Sequence, residues 1–157
     1  MHSPLLQQSI TNFYQMVSCT IQPYGGDKGG VVSFDLSKAK ALAKKAPSGV
    51  VPNKGKSDSK PIALASGFPH IFHNTEDLQW TVPDCLKKSK INTLEFPILE
   101  NGKDYEATKK PRPEPGPCRI VYSQLDSTFC GVMCHKIRFP DKLKNLGDPL
   151  KEFTVCR

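Results

Sequence analysis

The sequence predicts an α+β domain, with one α-helix packed on a central antiparallel β-sheet and long basic loops around both. Three observations predict it. Leu36 to Ala46 is rich in Ala, Leu and Lys and is stopped by Pro47. Several short apolar runs of strand type are divided by turn residues. With 14 Pro, 11 Gly and only 38% hydrophobic residues, the chain can build one modest core and must spend much of its length in loops. At 157 residues it is one domain's worth.

Residues 1–18 are polar and irregular and are expected to form a flexible arm ahead of a domain spanning 19–157. Cys19-Thr-Ile-Gln opens a first strand, Tyr24 to Gly30 is a turn, and Val31-Val-Ser-Phe is extended. Asp35 or Ser37 can cap the helix, because a short polar oxygen satisfies the free N–H groups of its first turn. Residues 47–62, 81–90 and 101–117 read as three long basic loops, the last ending in the stiff run Lys109-Lys-Pro-Arg-Pro-Glu-Pro-Gly-Pro. Leu94-Glu-Phe-Pro-Ile-Leu is strand-like, but Pro97 lacks a donor and needs an edge or a bulge. Arg119-Ile-Val-Tyr and Phe129 to His135 form a hairpin candidate, and Glu152 to Cys156 a last strand.

The net charge of +7 favours an anionic partner, whether nucleic acid or membrane. No apolar run is long enough to span a bilayer, and no repeat of solenoid length is visible. The cysteines stand at 19, 85, 118, 130, 134 and 156, with no C-x-x-C pair. That argues against a zinc ribbon and for disulfides in a secreted protein, with fifteen possible pairings. Met1 to Ser18 lacks the basic start and apolar stretch of a signal peptide, so a removed leader or another export route is implied.

Side chains alternate between the two faces of a strand, so Arg119 and His135 can share one face of the hairpin while Cys118 and Cys134 share the other. Glu95 on a neighbouring strand and His70 in Gly67-Phe-Pro-His-Ile-Phe-His-Asn can join the first face. A carboxylate, two imidazoles and a guanidinium suit phosphodiester transfer: a base takes the ribose 2′-proton, an acid protonates the leaving 5′-oxygen, and a cation holds the phosphorane charge. The nucleophile is already in the RNA, so no metal or cofactor is called for. The competing reading leaves the four unrelated, with Glu95 paired to a lysine, His135 half-buried and Arg119 on the surface. Lys38, Lys40, Lys44 and Lys45 are the wet face of a helix, and His2 and His73 have no role. The loop residues Lys54, Lys56, Lys60, Lys87, Lys88, Lys90, Lys109, Lys110 and Arg112 track phosphates only if they share a face.

Five segments in order resemble the fungal guanyl-specific ribonuclease superfamily: Phe68-Pro-His-Ile-Phe-His-Asn, Leu94-Glu-Phe-Pro-Ile, Gly116-Pro-Cys-Arg-Ile-Val-Tyr, Phe129-Cys-Gly-Val-Met-Cys-His and Phe153-Thr-Val-Cys. The basic loops, Asp104-Tyr105 and the Lys-Pro run resemble its ribotoxin branch of sarcin and hirsutellin type. The helix and the Cys-Gly-Val-Met segment lean toward hirsutellin-like toxins. The resemblance runs from about Cys19 to Arg157.

It implies that Glu95 is the general base, His135 the general acid, and His70 and Arg119 the holders of the scissile phosphate. Phe68, Tyr105, Lys109, Lys110 and Phe153 would serve substrate binding. The product would be a 2′,3′-cyclic phosphate. The target would be one bond in the sarcin–ricin loop of large-subunit ribosomal RNA on the ribosome, with acidic phospholipid membranes as transient partners of a monomer acting in the target-cell cytosol. Phe68 departs from the Tyr common in the family, so a hydroxyl donor to the phosphate is missing. The resemblance supplies the pairs Cys19–Cys156 and Cys85–Cys130. Cys118 and Cys134 remain, nearly opposite in a hairpin turning near Leu125 to Ser127; a third bridge between them is expected, with buried thiols as the competing reading. Two other functions stay open, a general secreted guanyl ribonuclease and a non-catalytic RNA-binding effector. The long loops speak against the first and the intact Glu95, Arg119 and His135 against the second.

Overall fold

A computed structural model describes residues 15–23, 29–52, 54, 59–80, 82, 85, 93–138 and 152–157. In chain order its elements are β1 (Met16–Pro23), β2 (Gly30–Asp35), α1 (Leu36–Lys45), β3 (Val50–Pro52), β4 (Ser59–Pro61), β5 (His70–Ile71), β6 (Thr93–Pro97), β7 (Cys118–Ser123), β8 (Phe129–His135), β9 (Ile137–Arg138) and β10 (Phe153–Val155). The central sheet has five strands in the order β10-β8-β7-β6-β5, all antiparallel. A second sheet, β2-β1-β9, pairs β1 with β9 in parallel over two residues. The α+β class expected from the sequence is the class observed.

Helix α1 starts where a local polar group can end it. The Asp35 carboxylate accepts the backbone N–H of Ser37 at 2.8 Å and of Lys38 at 3.3 Å, and the Ser37 hydroxyl at 2.6 Å. The Ser37 hydroxyl, ahead of the two backbone donors, holds Asp35 below the usual carboxylate range. Ala39 and Ala43 are fully buried, and their small size lets the helix lie close over β7 and β8. The core beneath it holds Leu94, Phe96, Ile120, Tyr122 and Val132. On the opposite face of the sheet Phe72, Trp80, Val121, Met133 and Phe153 form a second cluster. Gly131 is required there: a Cβ would lie 2.8 Å from the Trp80 ring, which rests on the bare backbone.

The cysteines pair as Cys19–Cys156, Cys85–Cys130 and Cys118–Cys134. Cys118 and Cys134 are direct partners across β7 and β8. The Cys134 and Cys156 sulfurs lie 3.5 Å apart, so two bridges stack in the core. Beside Cys19–Cys156, Ser18 and Arg157 exchange two backbone hydrogen bonds, each of 3.0 Å.

Two expectations need correction, and one strand was not foreseen. The segment 47–62 is not all loop: β3 and β4 pair in it, and the Ile62 N–H donates to the Gly49 carbonyl at 2.9 Å. Pairing between distant residues, rather than apolar alternation, makes that ribbon. The segment around His70 contains strand β5, which pairs with β6. Strand β1 begins at Met16, inside the expected arm, because it runs antiparallel to β2 as far as Asp35. Pro97 is accommodated as the last residue of β6, beyond the reach of the two-residue β5, so its side facing that strand needs no donor. The lysines at 56, 87, 88 and 90, and His2, lie outside the described residues.

Candidate active site

The strand register sets the site. Cross-strand partners point to the same face, so His70 opposite Glu95, Glu95 opposite Val121 and Arg119 opposite Met133 all share one face. His135 lies two residues beyond Met133 and opposite Phe153 on that same face. His70, Glu95, Arg119 and His135 therefore come from four adjacent strands, with Phe153 beside them on the fifth. The helix occupies the other face.

Glu95 is the hinge of the cluster. Its Oε1 lies 3.4 Å from His70 Nδ1 and 4.0 Å from Arg119 Nε. Glu95 is mostly buried, whereas the His70 ring is half-exposed. One edge of the carboxylate is thus held between an imidazole and a guanidinium.

Arg119 is buried and anchored through Nη1, which donates to the carbonyls of Pro115 at 3.2 Å, Gly116 at 2.7 Å and Cys118 at 2.8 Å. Gly116 has φ +66°, a conformation that glycine adopts without strain and that places its carbonyl in this nest. The guanidinium carbon lies 5.1 Å from the Phe68 ring centroid, close enough for a cation–π contact. Burial pulls the Arg119 pKa down to about 10, Glu95 opposes that, and Arg112 adds to it. The group stays charged at neutral pH.

Phe68 is not a substrate-facing ring. It is 1% exposed and stacks under His70 with centroids 4.1 Å apart. It is a platform on which His70 and Arg119 rest. Tyr105 also departs from the expected binding role: it is buried, meets Phe68 and Phe96 edge-on, and donates its hydroxyl to the Pro113 carbonyl at 2.9 Å. An amphipathic ring under a proline loop finds its polar partner in that loop. Lys109 and Lys110 are exposed on the loop, Lys109 in an ion pair of 3.1 Å with Glu106. Arg112 reaches over the Phe68 ring at 5.7 Å. His135 stacks on Phe153 with centroids 4.2 Å apart and planes inclined by 30°.

A ribonuclease family model matches residues 35–146. The chain belongs to this ribonuclease family. Among curated ribonucleases it is 30% identical to ribonuclease alpha-sarcin of Aspergillus giganteus over 119 residues, 59% of this chain and 67% of that protein. It is equally 30% identical to ribonuclease clavin of Aspergillus clavatus, where the match spans about half of the relative, 52%, and 45% of this chain. The fold is that of the Aspergillus ribotoxin restrictocin. Its crystal structure with a 29-mer sarcin/ricin domain RNA analog aligns with TM-score 0.64 and 23% identity over 90% of this chain and 99% of that chain. The expected ribotoxin-type ribonuclease, an RNA endonuclease, is borne out at that level.

Sequence reasoning missed Glu76, which lies against the Phe153 end of the site. No local signal marks it, since its partner is a backbone N–H far along the chain.

Proposed function

We propose that the protein cleaves one phosphodiester bond in the sarcin–ricin loop of large-subunit ribosomal RNA by acid–base transphosphorylation, and so stops translation. The observation that carries the reading is the placing of His70, Glu95, Arg119 and His135 on one sheet face, from four adjacent strands. Glu95 removes the 2′-hydroxyl proton and the 2′-oxygen attacks phosphorus. His135, across the site, protonates the 5′-oxygen as the P–O5′ bond breaks, leaving a 2′,3′-cyclic phosphate. Arg119 and His70 hold the charge that builds on the phosphoryl oxygens. Carbonyl anchoring of Arg119 supports this, because a cation fixed in advance needs no reorganisation when that charge appears.

Restrictocin's complex with a sarcin/ricin RNA analog supports the choice of target. Lys109, Lys110 and Arg112 offer exposed cations on one stiff loop beside the site, suited to RNA phosphates flanking the cut. The net charge of +7 supports transient contact with acidic phospholipid on the way into a target cell, and three disulfides support secretion.

Incubation with intact ribosomes, followed by a denaturing RNA gel, tests the reading. One short fragment of large-subunit RNA is the expected result. A smear means a general ribonuclease, and unchanged RNA means a binding protein; either overturns the proposal.

A further inference from the structure

The last strand of the site sheet is short and lies at its edge. Strand β10 has three residues and, among the described residues, pairs with β8 alone. The ladder bonds flanking it run from the Lys136 N–H to Glu152 and from the Cys156 N–H to Val132, both 2.8 Å. In an antiparallel ladder, hydrogen-bonded and non-hydrogen-bonded pairs alternate. Phe153 therefore takes a non-hydrogen-bonded position opposite His135, and its N–H points away from β8. A free edge of this kind frays unless something outside holds it.

Glu76 holds it. Both carboxylate oxygens accept the Phe153 N–H, at 3.1 and 3.3 Å. A charged acceptor on a backbone donor makes a stronger bond than a neutral one. The turn that carries Glu76 is itself fixed. Asn74 accepts the Leu78 N–H at 2.7 Å, returns a bond to the Leu78 carbonyl at 3.1 Å, and accepts the Asp77 N–H at 3.0 Å through its own carbonyl. Phe72, just before the turn, meets the Phe153 ring edge-on at 6.1 Å. Behind the turn, the Gln79 carbonyl accepts Arg157 at 3.4 Å, a second tie to the same end of the chain.

We propose that Glu76 is a positioning residue: by holding the outward N–H of Phe153 it fixes the edge strand, and through the Phe153 ring it sets the angle of the His135 imidazole. The inference rests on the role given above to His135. Glu76 touches no reacting atom in this account. It acts through β10, clamped by β8 on one side and by the Glu76 turn on the other.

The test compares Glu76→Ala and Glu76→Gln with the wild type, with circular dichroism to establish that each is folded. Three readouts apply: hydrogen exchange at the Phe153 amide, the His135 ring-proton resonances, and kcat against KM on the dinucleoside phosphate GpA. Glu76→Ala is expected to speed exchange at Phe153 and to move the His135 resonances, because the ring current from Phe153 changes. It should lower kcat roughly 10- to 100-fold, the scale of an ångström's misplacement, with KM within about twofold. Glu76→Gln keeps an oxygen acceptor and should restore all three readouts most of the way. Unmoved His135 resonances in folded Glu76→Ala overturn the proposal. So does a loss confined to KM, which would place Glu76 on the substrate. The first two readouts need no catalysis, so they decide the clamp even where the wild type leaves GpA uncut, and the role of His135 is decided separately, by ribosome cleavage.

Discussion

Cys118 and Cys134 are bridged cross-strand partners, and each stands one residue before a site residue, Arg119 and His135. The bridge lies on the helix side of the sheet and the two site residues on the other. It fixes the register on which the Arg119–His135 spacing depends, since a slip of one residue would turn every side chain to the opposite face.

Replacing both cysteines by alanine should cost about 3 kcal/mol at most, the chain-entropy value for a loop of this size. That corresponds to a fall in Tm of roughly 6–12 °C for a chain of this length. Differential scanning calorimetry reads it. Thiol titration of the denatured, unreduced wild type should find no free thiol.

Glu95→Gln and His135→Gln should each lower ribosome cleavage about 10²- to 10⁴-fold, the range for loss of a proton-transfer group. Glu95→Gln keeps the shape of the side chain, and His135→Gln loses a ring contact with Phe153 at one partly exposed position, so circular dichroism should not change. Full cleavage by His135→Gln would remove it as the acid.

Arg119→Ala should damage folding as well as activity. It takes a donor from three carbonyls, of which that of Cys118 keeps the Ile98 N–H at 3.3 Å, and leaves Glu95, mostly buried, without its guanidinium. Breaking a buried ion pair on one side costs about 3–5 kcal/mol. Arg119→Lys keeps the charge without the planar fork. It should recover most of the stability and little of the activity, read by urea denaturation beside GpA turnover.

Alkaline pH should act on stability through Tyr122. The Tyr122 hydroxyl donates to the Pro47 carbonyl at 2.5 Å, and burial pushes its pKa above the ordinary value. The unfolded chain releases this proton first, near pH 10. The contribution of Tyr122 is therefore full below that pH and is lost progressively as pH rises past it. Arg119 acts with the opposite sign: its folded pKa lies below the ordinary guanidinium value, so above about 10 the unfolded state holds more protons and this group's contribution grows with pH. Urea denaturation from pH 8 to 11 should show Tyr122→Phe less stable at pH 8 but with a shallower decline above pH 10.

Gly131→Ala should destabilise by about 1–3 kcal/mol, as overpacking does, because the new methyl meets the face of Trp80. Indole fluorescence should shift if the ring is displaced. An unchanged Tm and spectrum would mean that the ring yields freely.

The helix was legible because its signals are local: the Asp35 cap, the Ala-rich run and Pro47 lie within one short stretch. The shared face of Arg119 and His135 was legible too, because strand alternation needs only the residue count between them and a hairpin. Strand β5 was not, since two residues carry no period and only their pairing with Leu94 and Glu95 makes them a strand. The family resemblance implied a substrate role for Tyr105 and Phe68, yet an aromatic ring suits both stacking on bases and filling a core. Only packing between distant segments, here the Pro113 loop and Phe96, decides which use prevails. Glu76 escaped for the same reason, its partner being 77 residues away.

The reciprocal bonds between Ser18 and Arg157, with Cys19–Cys156 beside them, make the folded region nearly circular. A protease that cuts one peptide bond in an exposed loop between those cysteines opens the ring but releases no fragment. The nicked molecule stays one covalent body with its strands in place, and runs as one band without reductant and as two with it. Damage of this kind should leave the catalytic face assembled, which suits a protein built with so much of its length in accessible loops.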